Sequence, residues 1–205
     1  MEEAPFIGIV RHRIQTDGKG VSSLAAFHGC PLHCQYCLNP QCQREGVWRT
    51  FTPESLYEEV KIDQLYFLAT GGGITFGGGE PSMYPDFIVR FREICGPEWN
   101  LTLETSLNVP ADNIRWLSSV VNQFIIDIKE TNDEIYRHYT GLSNRRALDN
   151  LQELLQEGRG DDLIVRLPLI EGYNTQEDIE RSTEKLRAMG VEHFDFFTYR
   201  TDIHK

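Results

Sequence analysis

The sequence has no apolar run long enough to cross a membrane, and its start, Met-Glu-Glu-Ala-Pro, is acidic, unlike a secretory leader. No membrane association is therefore expected, and the chain reads as cytoplasmic. Excess positive charge is also missing: the net charge is −11 over 205 residues, which argues against nucleic acid as a partner. No internal repeat, low-complexity tract or linker stands out, and the length suits a single domain, residues 1–205. Cysteine is scarce and odd in number, five in all, which points away from a disulfide framework and toward a reducing compartment.

Three of those five lie together. Cys30, Cys34 and Cys37 fall in His28-Gly-Cys-Pro-Leu-His-Cys-Gln-Tyr-Cys-Leu-Asn39, a CxxxCxxC spacing. Iron–sulfur clusters normally take four protein thiolates. Three thiolates leave one iron of a 4Fe–4S cluster open to a small-molecule ligand. The alternative is a structural zinc site completed by His28 or His33. Zinc motifs usually bring a second Cys/His pair a dozen or more residues on, and none follows here. Cys42 and Cys95 are isolated.

A second segment, Gly71-Gly-Gly-Ile-Thr-Phe-Gly-Gly-Gly-Glu-Pro81, reads as a short buried strand ending in glycines and a carboxylate. Glycines let backbone approach a ligand closely, and backbone carbonyls with Glu80 suit an amino group. No Lys-Ser/Thr follows the glycines, so a phosphate loop is disfavoured.

Apolar runs alternate with helical patterns along the chain. Strands are predicted at 24–27, 73–76, 101–104, 124–128, 163–167 and 194–199. Helices are predicted from Thr52-Pro53 to about Leu68, then over 84–95, 110–120, 133–139, 145–157 and from the capping box at Thr175–Asp178 to Gly190. Such alternation predicts an α/β fold: a parallel sheet with helices outside, whose six units would make an open, partial barrel. Polar residues cluster after the predicted strands, where sites form in parallel α/β folds.

Cysteine triplet and glycine-rich strand end together resemble the radical S-adenosylmethionine (radical SAM) enzymes. Asp17-Gly-Lys-Gly20, Leu103-Glu-Thr105, Ile125-Ile-Asp-Ile-Lys129, Asn132-Asp-Glu-Ile135, Thr140-Gly-Leu-Ser-Asn144, Val165-Arg-Leu-Pro168 and Gly172-Tyr-Asn174 extend the resemblance to the activating enzymes of glycyl radical enzymes, of the pyruvate formate-lyase activating type. This resemblance implies a partial (β/α)6 barrel and two cofactors, a 4Fe–4S cluster on Cys30, Cys34 and Cys37 and SAM capping its open iron. Reductive cleavage of SAM then gives a 5′-deoxyadenosyl radical, which takes a hydrogen atom from a glycine α-carbon of the partner enzyme. Electrons would come from a flavodoxin or ferredoxin-type donor.

Residue by residue, the resemblance puts Tyr36 and Leu38 at the adenine. It puts Gly78, Gly79 and Glu80 at the methionyl amine, Lys129 and Arg166 at the methionyl carboxylate, Arg200 beside SAM, and Asp17 near the glycyl loop. A monovalent cation would be held by Glu104, Thr105, Asp127 and the Ile125 carbonyl. The sequence departs from the family at Gly77, where serine is usual, at Leu38, where histidine is usual, and at Glu104, where aspartate is usual. The extra methylene of Glu104 puts the cation site in question. Between Cys37 and the glycine strand only Cys42 occurs, too few for a second cluster, and there are no auxiliary-cluster cysteines near the C-terminus. Related activases continue past the position of Lys205 and cover the barrel mouth there, so a wide mouth is expected. Two other readings stay in view: a radical SAM enzyme acting on a free small molecule, and a non-enzymatic metal-binding protein.

Overall fold

A computed structural model describes residues 3–14, 17–46 and 49–199. The fold is α/β with a mostly parallel sheet that does not close on itself, as the alternating pattern predicts. No helix among the described residues is long and apolar enough to cross a membrane. Contacts divide the chain into two compact units.

The first unit comprises residues 1–30, 39–105 and 111–125. It holds strands β1 (Ala4–Ile14), β2 (Val21–Phe27) and β3 (Arg49–Phe51), and helices α1 (Pro53–Val60) and α2 (Gln64–Thr70). Strand β4 (Gly73–Gly78), helix α3 (Pro85–Cys95), strand β5 (Asn100–Thr105) and helix α4 (Ala111–Ser118) complete it. β2, β4 and β5 run parallel, with Ser22 beside Gly73 and Gly73 beside Asn100. β1 lies antiparallel to β2 on one side and to β3 on the other. Phe6, Phe27, Phe67, Phe76, Phe87, Phe91 and Trp99 fill the core of this unit. Each is worth about 1.5–3 kcal/mol of burial.

Two sequence expectations are corrected here. No strand was expected before Leu24, yet β1 is the longest strand. Its Arg11-His12-Arg13 run breaks the apolar alternation by which strands are read. The single helix expected from Thr52 to about Leu68 is interrupted by a 3-10 turn at Lys61–Asp63. Asp63 is 1% exposed and accepts hydrogen bonds from Arg11 (2.6 and 2.7 Å) and Ser23 (3.1 Å), with the His12 ring at 2.9 Å. Aiming that carboxylate inward at the sheet takes the chain off the helical path.

The second unit comprises residues 31–38, 106–110 and 126 onward. Strand β6 (Gln123–Asp127) leads into it. Helices α5 (Asp133–Thr140) and α6 (Arg145–Gln156), strand β7 (Leu163–Leu169), helix α7 (Gln176–Met189) and strand β8 (Phe194–Thr198) follow. β7 and β8 are parallel, Val165 beside Phe194. The capping box read at Thr175 is present, with Asp178 completing it. Tyr139, Ile170 and Tyr199 form a buried cluster, against which Cys34, Tyr36, Tyr173 and Phe197 pack.

Candidate active site

In the first unit β4 ends in a turn with no room for side chains. A Cβ on Gly79 would stand 2.2 Å from the Gly29 oxygen, and one on Gly78, whose φ is +87°, would stand 2.7 Å from the Ala26 Cβ. Gly79 N–H donates to Phe27 O (2.9 Å) and Glu80 N–H to Gly29 O (2.8 Å), while Asn39 Nδ2 donates to Gly78 O (3.1 Å). The strand end is thus stitched to the segment that follows β2.

Glu80 is 1% exposed. Its Oε1 accepts from Thr105 Oγ1 (2.6 Å), from Ser82 Oγ and from Ser82 N–H (3.3 Å). This ties Glu80 to Thr105 at the end of β5. The start of the cysteine loop is fixed in the same unit: Gly29 N–H donates to the carbonyl of buried Cys42 (2.8 Å). The His28 Nε2 faces Arg44 O at 3.0 Å, so that nitrogen is engaged with main chain rather than offered to a metal.

Asp17 is 5% exposed, and its carboxylate is held by both Arg13 Nε and Arg13 Nη2, the latter at 3.0 Å. Its carbonyl accepts from the Thr75 hydroxyl. The Asp17 segment is therefore packed in place before any substrate meets it.

In the second unit the rest of the cysteine loop rests on the end of α5. His33 N–H donates to Thr140 O (2.9 Å), Gln35 N–H to Tyr139 O (3.2 Å), and Cys37 N–H to Cys34 O (3.2 Å). These helix-end carbonyls have no partner within the helix. Burial pushes the Cys34 thiol up to about 11, although Lys129 pulls the other way. Lys129 is 6% exposed and pairs with Asp127 at 3.1 Å, with its ammonium over the Tyr199 ring at 5.6 Å. Burial alone would push that ammonium down, but the Asp127 carboxylate overrides it and holds Lys129 above the ordinary lysine range. Tyr36 packs edge-on against Tyr173, ring centroids 5.8 Å apart, whereas Leu38 is exposed. Arg166, half-buried, faces Asp195 at 3.3 Å. Arg200 lies outside the described residues.

Several positioning groups have no role in the sequence reading, although some lie in segments that carry the family resemblance. Asp133 Oδ1 accepts from Ser143 Oγ (2.7 Å) and Asn144 N–H (2.9 Å), and its Oδ2 from Arg137 (2.6 Å). Asn108 Nδ2 donates to Ser143 O (2.7 Å) and Asn144 Nδ2 to Glu130 O (3.1 Å). Glu130, 2% exposed, accepts from Thr131 N–H, Asn132 N–H, Ser182 and Asn174. Leu107 sits at φ +57°, an uncommon backbone for a branched residue. Its carbonyl is held by Asn150 Nδ2 at 2.8 Å. The amide and carboxylate side chains that follow the strands were the available signal.

The donor set suits the cofactors that the sequence implies. None of the three loop cysteines is in a disulfide and all are half-buried, so their thiols can exchange protons for metal. Asp127 Oδ1 is buried without a hydrogen-bond partner, an acceptor that a cation or a donor would satisfy.

The chain belongs to the radical SAM superfamily, whose family model matches residues 25–186. Membership implies a 4Fe–4S cluster and SAM. Within that superfamily, similar proteins include several activating enzymes. The (2S)-3-sulfopropanediol dehydratase activating enzyme of Klebsiella oxytoca is 34% identical over 220 residues, 77% of this chain and 69% of that protein. The pyruvate formate-lyase 2-activating enzyme of Escherichia coli strain K12 is 27% identical over 221 residues, 92% of this chain and 74% of that protein. A crystal structure of a domain of pyruvate-formate lyase-activating enzyme from Bacteroides vulgatus aligns with TM-score 0.53 at 26% identity, covering 62% of this chain and 78% of that one.

Proposed function

We propose that this chain activates a partner glycyl radical enzyme by abstracting a glycine α-hydrogen. The carrying observation is the seating of the cysteine loop, through its His33 and Gln35 N–H groups, on the Thr140 and Tyr139 carbonyls, at the start of the Thr140–Asn144 segment on which the resemblance to the activases rests. Cys30, Cys34 and Cys37 are the proposed cluster ligands. When bound, the reduced cluster supplies the electron that cleaves SAM and yields the hydrogen-abstracting 5′-deoxyadenosyl radical; a flavodoxin or ferredoxin-type protein is the proposed donor.

The chain's own residues bind and orient. The Gly78–Glu80 turn is held in place because the Gly79 and Glu80 N–H groups are spent on the Phe27 and Gly29 carbonyls. Lys129 stays charged, offering a cation to a carboxylate, with Asp127 balancing it. Arg166 is assigned to the same end of the ligand, and Tyr36, backed by Tyr173, with Leu38 to the adenine. Asp127, Glu104, Thr105 and the Ile125 carbonyl are the proposed monovalent-cation ligands. Asp17, already oriented by Arg13, is assigned to the backbone of the partner's glycine loop.

The test is turnover of reconstituted protein with a glycine-loop peptide bearing deuterium at the α-carbon. Expected outcomes are deuterium in 5′-deoxyadenosine and loss of peptide stimulation in Asp17→Ala. Absence of deuterium with every candidate partner would move the assignment to a free small molecule. Cys34→Ala should lose iron yet keep its fold, checked by metal analysis and circular dichroism; stoichiometric zinc in place of iron would sink the cluster assignment.

A further inference from the structure

Tyr139, in the last turn of α5, meets the cysteine loop twice. Its carbonyl accepts the Gln35 N–H (3.2 Å), and its side chain belongs to the buried cluster against which Cys34 packs. The residue is 0% exposed, yet its hydroxyl has no hydrogen-bond partner among the described residues. Such an orphan is uncommon in a folded interior and costs about 1–3 kcal/mol of lost solvation. A phenylalanine would fill the same space without that cost, so the hydroxyl calls for a use.

The neighbours limit the acceptor for that proton. The rings of Tyr36, Tyr173 and Tyr199 lie 6.4, 4.9 and 6.2 Å from the Tyr139 ring, centroid to centroid. The Tyr199 phenol approaches the hydroxyl without reaching hydrogen-bond geometry. Lys129 also acts on it, but an ammonium has donors only. The third polar group that acts on the hydroxyl is Cys34. A thiol is a weak acceptor, whereas the thiolate that metal binding makes of it is a strong one. The acceptor that Tyr139 lacks thus arises at Cys34 when the loop takes up its metal. A phenol keeps its own proton at neutral pH, all the more when buried.

We propose that Tyr139 is a positioning residue of the cysteine loop, that its O–H donates to the Cys34 sulfur once that sulfur is a cluster ligand, and that this bond raises the reduction potential of the bound cluster. This rests on the cluster assignment above. Hydrogen bonds to cluster sulfurs are one of the levers by which a protein sets that potential, because they favour the reduced, more negative form.

The experiment compares Tyr139→Phe with wild type in two states. The first is cluster-loaded protein without SAM, titrated anaerobically with reductant and followed by electron paramagnetic resonance. Tyr139→Phe should be harder to reduce by about fivefold in the equilibrium, which is about 40 mV for one electron. The second is metal-free protein, where the substitution removes only an unmet hydroxyl and should raise the melting temperature by about 2–4 °C. An unmoved or raised potential at full iron content overturns the proposal; SAM binding that weakens instead would make SAM the acceptor. A lowered melting temperature overturns it too, because the hydroxyl would then already be partnered by Tyr199. Wild-type protein that takes up no iron, seen by metal analysis before any titration, overturns the cluster assignment itself.

Discussion

The turn at Gly77–Glu80 and the loop at 31–38 are held by different means. The turn is fixed by subtraction: three consecutive glycines let β4 close on neighbouring backbone and side chains that any Cβ would strike. Its remaining anchor is one buried carboxylate with two hydroxyls. The loop is fixed by addition. Its N–H groups rest on α5, and α5 and the segment behind it are bound by Asp133, Asn108, Asn144, Glu130 and Asn174. Steric closure is brittle and local, because one methyl group opens it. A polar network is graded, because each member shares its load with the next.

That contrast can be broken from either side. The largest effect is expected for Gly79→Ala: a Cβ 2.2 Å from the Gly29 oxygen forces backbone apart, costing about 3 kcal/mol. A lower urea midpoint at unchanged slope measures it. Asn174→Ala comes next. Asn174 is 7% exposed, accepts from Ile170 N–H (2.6 Å) and donates to Pro168 O (3.0 Å) and Glu130 (3.3 Å). Leaving those buried groups unmet should cost about 2 kcal/mol by the same measurement.

The smallest effect, and the one that sharpens the contrast, is Asp133→Asn, at about 0.5–1 kcal/mol for a partly exposed carboxylate. Arg137, Ser143 and Asn144 hold Asp133 down from its ordinary 3.8 to about 2. Its folded state therefore favours the ionised form. The stabilisation is complete above pH 4 or so and is lost as pH falls toward about 2. Urea midpoints of wild type and variant should differ at pH 7 and converge on acidification through that window. The clash at Gly79 is between a methyl group and backbone, with no titrating group in it, so Gly79→Ala should keep its deficit across the same range.

The two kinds of construction also account for what was legible. Glycines at 77–79, cysteines at CxxxCxxC and an apolar strand at 124–128 announce themselves by residue type or periodicity, and the structure places strands and turns there. β1 was hidden because its charged residues serve a buried acid on another element, Asp63, and that pairing is invisible to a local window. The same holds for Glu130 and Asn174. Their partners lie up to 52 residues away, as with Ser182 on Glu130. Motif resemblance marked Thr140–Asn144 and Gly172–Asn174 without giving a reason; the hydrogen bonds supply one.

The seating of His33 and Gln35 on the last carbonyls of α5 has a kinetic consequence. Those two amides can exchange with solvent deuterium only when the loop lifts away from the helix end or the helix end itself unwinds. Their exchange rates in metal-free protein therefore report how often the cysteine loop leaves its seat. A loop that leaves rarely meets incoming iron with its backbone already ordered, so part of the ordering entropy of cluster assembly was spent when the chain folded.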